Sequence, residues 1–171
     1  MRGILSQKST DSDSQVGRRL SRRFQVNLVG EGALVGLIGG GVVTLYRLSL
    51  SAAERLLRQI TGAAAGNVAL MAAWALALLG ILLVVRALMR WEPATSGSGI
   101  PQVDAEVMGR MDMPWHRVVL AKFCEGTLLT FAGLSMGREG PSVQLGGMSG
   151  KAVSRILHRK RGEERLLLTF G

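Results

Sequence analysis

The sequence predicts an all-α membrane protein, in which tilted transmembrane helices stand beside shorter helices that glycine and proline break. The run Val68–Val85 carries no charged residue, which suits a membrane span of about 20 apolar residues. Glycine is abundant, at 23 of 171 residues, and small residues favour close helix packing in a bilayer. Two segments, residues 97–101 and 137–141, place Gly and Pro between apolar runs, which is typical of interrupted helices.

Composition and charge support this class. The chain is 47% hydrophobic and carries a formal net charge of +9. That charge on a soluble protein would suggest a nucleic-acid partner. Here the basic residues lie mainly between apolar runs, in the N-terminal segment and around residues 110–122 and 155–165, so orientation in a membrane explains them better. We therefore expect no nucleic-acid partner, and predict an integral multi-pass protein of the cell (inner) membrane with a cytoplasmic N-terminus.

The N-terminal part of the chain changes character near residue 27. Residues 1–27 are polar and basic, and no apolar core follows the early charges, so this is not a secretory signal. We expect a cytoplasmic tail, with a short interfacial helix around Gly17–Gln25 as the sharper alternative. A partial transmembrane domain is predicted over residues 28–171. Its first helix runs from Leu28 to about Leu57, where Gly32 and Gly36 permit a tight helix crossing.

The remaining elements follow from apolar runs and their breaks. A short loop is predicted at Ile60–Asn67, followed by the clearest span, Val68–Leu88, which Pro93 prevents from continuing. The later predicted helices are Ile100–Met108, Trp115–Leu134 and Pro141–Leu157, with another apolar segment starting at Leu166–Gly171. The first of these is too short to span a membrane, so it must be re-entrant or broken and buried in protein. On the second, Lys122 and Glu125 predict an internal ion pair, with a direct transport role as the alternative.

The segment at residues 137–141, Gly-Arg-Glu-Gly-Pro, places two charges between apolar runs. A charge at membrane depth costs at least ~2.5–3.5 kcal/mol and usually marks a functional site. Pro141 is predicted as the first residue of a helix, whose N-terminus carries roughly +0.5 charge and can bind an anion. Residues 97–101, Gly-Ser-Gly-Ile-Pro, have the same design, and the Ser98 hydroxyl can donate to an anion or cap the helix. Glu139 is then either a capping carboxylate or a tethered anion that competes for the site.

These two motifs, in this order, resemble the CLC family of chloride channels and proton-coupled chloride antiporters. Gln-Leu-Gly-Gly at residues 144–147 is similar to the family's continuation, and the helix pattern fits from about Leu28 to Gly171. The resemblance implies that the motifs are the first two parts of a selectivity filter. The predicted filter residues are Gly97, Ser98, Gly99, Ile100, Pro101, Gly137, Arg138, Glu139, Gly140 and Pro141.

The resemblance also implies a fold and a function. The fold would be the first part of a CLC-type inverted repeat, truncated here, so that we expect a fragment that does not transport by itself. The function would be transmembrane chloride transport, most simply proton-coupled antiport, with a passive voltage- or pH-gated chloride channel as the alternative. Glu139 would gate the site and transfer protons, Ser98 would bind the anion, and Arg138 would hold the loop. The implied partners are chloride, protons, the lipid bilayer and, for the full-length protein, a second copy in a homodimer.

Rival classes find little support in the sequence. Gly146–Ala152 superficially resembles a phosphate-binding loop, but Ala152 stands where Ser or Thr is required. The sequence offers no catalytic or metal-binding cluster, so we expect no enzyme, no cofactor and no metal site. The lone Cys124 excludes a disulfide within the chain. A basic soluble interaction protein is the remaining alternative, and the uncharged run Val68–Val85 argues against it.

Overall fold

The structure, a computed structural model, describes the backbone of residues 2–134, 137–158 and 161–171, and the side chains of residues 29–134, 137–158 and 164–171. The chain divides into two compact units, Met1–Leu34 and Val35–Gly171. The first unit is helical from Arg2. The predicted start of the first helix at Leu28 is therefore wrong, because α1 continues without a break from Arg2. The cytoplasmic tail over residues 1–27 and the interfacial placement of Gly17–Gln25 stay predictions.

The regular elements in the described ranges are all helical. They are α1 (Arg2–Ala64), α2 (Val68–Trp91), α3 (Ile100–Val107), α4 (Trp115–Phe131), α5 (Glu139–Ile156) and α6 (Arg161–Phe170), with a short 3₁₀ turn at Pro93–Thr95 between α2 and α3. The predicted all-α class is confirmed, and so is the short helix after residues 97–99.

Among the described residues, two helical segments are long and apolar enough to cross a membrane, Val29–Ala64 within α1 and Val68–Trp91. Only 6% of the most apolar stretch of α2 is buried inside the described structure. Val68, for example, is 81% exposed. An apolar surface of this extent belongs against lipid or other protein, because soluble monomers rarely leave one in water.

The predicted loop at Ile60–Asn67 is wrong in extent, because α1 continues to Ala64. Thr61 is accommodated within the helix, since its hydroxyl donates to the Leu57 carbonyl at 2.9 Å. Asn67 then caps α2 by accepting from the Leu70 N–H at 3.3 Å. The connection between the two helices is therefore short, which is typical of antiparallel neighbours.

Two other predicted helix ends shift for local reasons. Helix α5 begins at Glu139 and not at Pro141, and proline is tolerated there because the first N–H groups of a helix have no partner within it. Helix α4 ends at Phe131 and not at Leu134, because Gly133 adopts a φ of 83°. The N–H of Leu134 then bonds back to the Leu129 carbonyl at 2.9 Å, which closes the helix end.

Helix α5 lies at the centre of the second unit and packs against α3, α4 and α6. Its glycines permit very close approach: a Cβ atom at Gly150 would overlap the carbonyl oxygen of Leu167 in α6. On α1, a Cβ atom at Gly39 would lie 3.7 Å from the Gly146 carbonyl oxygen, whereas no atom of the described residues lies within 4 Å of a Cβ atom at Gly36. Within the described residues the close contact of α1 is thus made by Gly39, and the crossing at Gly32 and Gly36 stays a prediction.

Candidate functional site

The two Gly/Pro segments predicted from the sequence meet in space. The backbone of Gly140 lies against Ser98, because a Cβ atom at Gly140 would overlap the Ser98 carbonyl oxygen and lie 3.2 Å from its Cβ atom. Ile100 begins α3 two residues after Ser98, and Glu139 begins α5 beside Gly140. The N-terminal ends of α3 and α5 therefore lie side by side.

The segment before α3 depends on glycine conformations. Gly97 and Gly99 have φ angles of 80° and 93°, a region that L side chains rarely adopt. Gly99 is further constrained, because a Cβ atom there would lie only 2.6 Å from Oε1 of Gln144. Position 99 thus requires glycine both for its backbone angle and for the close approach of α5.

The Ser98 and Glu139 side chains are both exposed at this meeting point. Within the described residues, the Ser98 hydroxyl takes part in no hydrogen bond, and the Glu139 carboxylate forms no ion pair. The hydroxyl is free to donate to a ligand. A carboxylate in the first turn of a helix is favoured by the helix dipole by about 0.3–1 kcal/mol, which suits Glu139 at the start of α5.

Four consecutive carbonyl groups before Ser98 are engaged by side chains. Lys122 Nζ donates to Thr95 O at 2.6 Å and to Gly97 O at 2.7 Å. The other two bonds run from Gln144 Nε2 to Ala94 O at 2.8 Å and from Gln102 Nε2 to Ser96 O at 2.6 Å. These bonds fix the loop and occupy lone pairs that would otherwise repel an anion nearby.

The predicted ion pair between Lys122 and Glu125 is wrong. In the part of the chain that the structure describes, the two side chains do not pair directly. Both side chains are 1% exposed, and both contact Thr95. The Thr95 carbonyl accepts a hydrogen bond from Lys122, and the Thr95 hydroxyl oxygen lies 2.7 Å from Glu125 Oε1. The spacing on α4 is as expected, but Thr95 from another element supplies the partners. A lysine within an apolar helix was the sequence signal that indicated this cluster. No sequence signal indicated the role of Thr95.

The second segment is tied to α1. Arg138, which precedes α5, forms an ion pair with Glu54. The two side chains are 49% and 35% exposed, so the pair contributes at most about 1 kcal/mol and mainly orients the loop. Ser142 adds a hydrogen bond to the Arg138 carbonyl at 2.6 Å.

A separate acidic group joins α3, the following loop and α6. Carboxylate oxygens of Glu106, Asp112 and Glu164 lie within 4.8 Å of one another. Lys151 Nζ lies 2.5 Å from Glu106 Oε1 and 2.6 Å from Asp112 Oδ1, and Arg155 Nε lies 2.8 Å from Glu164 Oε2. Because these cations already contact all three carboxylates, the cluster is an ion-pair network that clamps the elements to α5.

Comparison with known proteins places the chain among relatives. A family model described as "Voltage gated chloride channel" matches residues 80–171. The protein named H(+)/Cl(-) exchange transporter ClcA of Vibrio campbellii is 29% identical over 171 aligned positions, which cover 96% of this chain and 36% of that protein. The proteins of the same name from Vibrio vulnificus and Cronobacter sakazakii are 31% identical over 139 positions and 40% identical over 90 positions. Those alignments cover 78% and 53% of this chain, and 29% and 18% of the respective relatives.

The chain spans about a third of the length of the first of these relatives. The matched residues, 80–171, include both Gly/Pro segments and all of helices α3 to α6. With more than half of the sequence covered by the family model, the chain belongs to the CLC family of voltage gated chloride channels and their relatives.

Proposed function

We propose that this chain forms part of a proton-coupled chloride transport pathway, with an anion site between the N-termini of α3 and α5. The observation that carries the proposal is the contact between Ser98 and Gly140, which joins the two segments. The names of the relatives, H(+)/Cl(-) exchange transporters, favour antiport. Chloride, protons and the lipid bilayer are the proposed partners.

An anion site for transport must bind weakly enough to release its ion. Helix N-termini and a hydroxyl provide partial positive charge that is spread over several donors, and discontinuous membrane helices commonly supply such sites. Ser98 would donate its free hydroxyl, and the first N–H groups of the two helices would supply the remaining donors. Lys122, which is buried and bonded to Gly97 O, adds positive potential without contacting the anion itself.

Glu139 is proposed as the gate and the proton-transfer group. Its carboxylate is attached at the start of α5, where chloride would bind, so carboxylate and chloride compete for the same N–H groups. Protonation removes the negative charge and with it the competition. Proton binding and chloride entry would then be coupled through one side chain.

The experiment is Glu139→Gln in the full-length protein that carries this sequence, reconstituted in liposomes. The variant keeps the side-chain volume but cannot lose a proton, so we expect chloride flux to continue while chloride-driven proton movement stops. Asp104→Asn is the matched control, because Asp104 is an exposed acid on α3 outside the proposed site. Proton coupling that survives Glu139→Gln would refute the assignment.

A passive chloride channel is the alternative, which the description of the matching family model favours. The two functions differ in wild-type protein. An antiporter moves protons against their gradient when a chloride gradient is imposed, whereas a channel moves chloride alone. Chloride flux without any linked proton movement would decide for the channel.

Membrane placement and assembly complete the proposal. The basic segments predict an N-terminus on the cytoplasmic side of the inner membrane, and a homodimer is proposed for the full-length protein. Reporter fusions after Ala65, in the connection between α1 and α2, test the orientation. Reporter activity on the cytoplasmic side would contradict it.

A further inference from the structure

Glu125 is a buried acid that the proposed mechanism does not use. It lies on α4 and is 1% exposed. Its Oε1 atom lies 2.7 Å from the Thr95 hydroxyl oxygen. Its Oε2 atom is buried, and no described residue donates a hydrogen bond to it. An ionised carboxylate in this position would leave an acceptor unsatisfied away from water, which is unfavourable.

The Thr95 hydroxyl provides a second, independent observation. Its oxygen lies 2.8 Å from the Glu92 carbonyl oxygen and 2.7 Å from Glu125 Oε1. A hydroxyl has one hydrogen to donate, and an ionised carboxylate and a carbonyl are both pure acceptors. With Glu125 ionised, one of these two short contacts would contain no hydrogen. With Glu125 protonated, Oε1 donates to Thr95, Thr95 donates to Glu92 O, and both contacts are hydrogen bonds.

The charged and titratable groups that the structure describes around Glu125 form no ion pair with it. Lys122 on the same helix is bonded to two loop carbonyls. Glu92, at the end of α2, uses its own carboxylate to accept from the Ala94 N–H at 3.4 Å. On the α1 side, the Tyr46 hydroxyl packs against Gly126, and Arg138 at the start of α5 is paired with Glu54. Neutral Glu125 therefore fits these surroundings better than a carboxylate.

We infer that Glu125 is a second proton-binding site, whose proton raises the affinity of the loop at residues 94–99 for an anion. The inference rests on the proposed anion site at Ser98. With Glu125 protonated, the charge of Lys122, which is bonded at Gly97 O next to Ser98, is not offset by a neighbouring carboxylate. When the proton leaves to water, the carboxylate offsets that charge and competes for the Thr95 hydroxyl. Proton loss thus weakens anion binding.

A cavity lies beside Gly126, the residue that follows Glu125 in the chain. Its volume is about 160 Å³, and it is lined by Tyr46, Gly126 and Arg138 among other residues. One water needs about 10–15 Å³ of such volume, so the cavity holds several. Water in this cavity is the proposed acceptor for the proton of Glu125.

The test measures chloride binding to the purified full-length protein by calorimetry, over a pH series, in a Glu139→Gln background that removes titration of the gate. In this background we expect chloride affinity to fall as pH rises, by a factor in the range of about 5–150 that is usual for coupled sites. Adding Glu125→Gln should abolish the pH dependence and hold the affinity near its low-pH value, because the amide also donates to Thr95. An unchanged pH dependence in the double variant would overturn the inference.

Infrared spectroscopy keeps the inference testable where calorimetry on the double variant fails. At neutral pH the full-length protein should show a carboxylic-acid carbonyl band that is lost in Glu125→Gln and retained in Asp104→Asn. Absence of a Glu125-dependent band would contradict the inference. Ser98→Ala distinguishes failure of the inference from failure of the proposed function. If Ser98→Ala binds chloride normally while Glu125→Gln still removes the pH dependence, the anion site at Ser98 is refuted and the proton site at Glu125 is supported.

Discussion

Gly140 at the start of α5 lies so close to Ser98 that any Cβ atom there would overlap the Ser98 carbonyl oxygen. This single contact joins two segments that are far apart in the chain. It also sets the distance between the N-termini of α3 and α5, on which the proposed anion site depends.

Gly140→Ala is therefore expected to push the two segments apart. We expect loss of chloride flux and destabilisation by about 1–3 kcal/mol, the usual cost of an added methyl group in a packed site. Liposome flux and thermal unfolding of the full-length protein measure the two effects. Gly40→Ala is the control, because no atom of the described residues lies within 4 Å of a Cβ atom at that position. Wild-type flux in Gly140→Ala would show that the contact is not required.

Lys122→Met tests the support beneath the loop. The substitution keeps an unbranched side chain but removes two hydrogen bonds from a charged donor to the Thr95 and Gly97 carbonyls. Such bonds contribute about 1.5–3 kcal/mol each, so we expect weaker chloride binding and a lower unfolding temperature. Calorimetry with chloride measures the first effect. Unchanged chloride affinity in a stably folded variant would show that Lys122 does not support the anion site.

Ser98→Pro tests ion choice. The resemblance to the CLC family implies that proline at this position favours nitrate, and proline lacks the hydroxyl donor. We expect the ratio of chloride to nitrate flux to fall, with Ser98→Ala showing how much of the change comes from the lost hydroxyl. Parallel efflux measurements with the two anions give the ratio. An unchanged ratio would count against Ser98 as a ligand.

Lys151→Met tests the ion-pair network. Lys151 and Glu106 are both buried, and removing the cation leaves Glu106 without its ion-pair partner in the interior. Breaking a buried pair on one side costs about 3–5 kcal/mol. Arg155→Gln should cost less than Lys151→Met, because the Arg155 side chain is 47% exposed and only its partner Glu164 is buried. Thermal unfolding compares them, and equal losses would contradict the assignment of Lys151 as the buried centre.

Local patterns in the sequence predict much of this fold. Proline and glycine mark the breaks around α3 and the start of α5, and the uncharged run predicts α2 within a few residues. Helix ends are less predictable, because they depend on single capping groups such as Asn67 and on the conformation of Gly133. The two site segments could be identified because their Gly and Pro residues are unusual between apolar runs.

Contacts between distant elements could not be predicted in the same way. Lys122 and Glu125 suggested an ion pair because only their own helix is visible in the sequence. The structure brings Thr95 to both, and its carbonyl and hydroxyl replace the expected partner. Likewise, Gln144 belongs to a recognisable motif, but its bond to the Ala94 carbonyl depends on how α5 packs against the loop.

The central claim is that the N-termini of α3 and α5 and the Ser98 hydroxyl together bind a halide ion. The most direct measurement is anomalous diffraction from crystals of the full-length protein grown with bromide in place of chloride. The account predicts an anomalous peak in contact with the Ser98 hydroxyl, beside the first residues of both helices. Well-occupied bromide peaks elsewhere in the membrane region, with none in reach of Ser98, would contradict it.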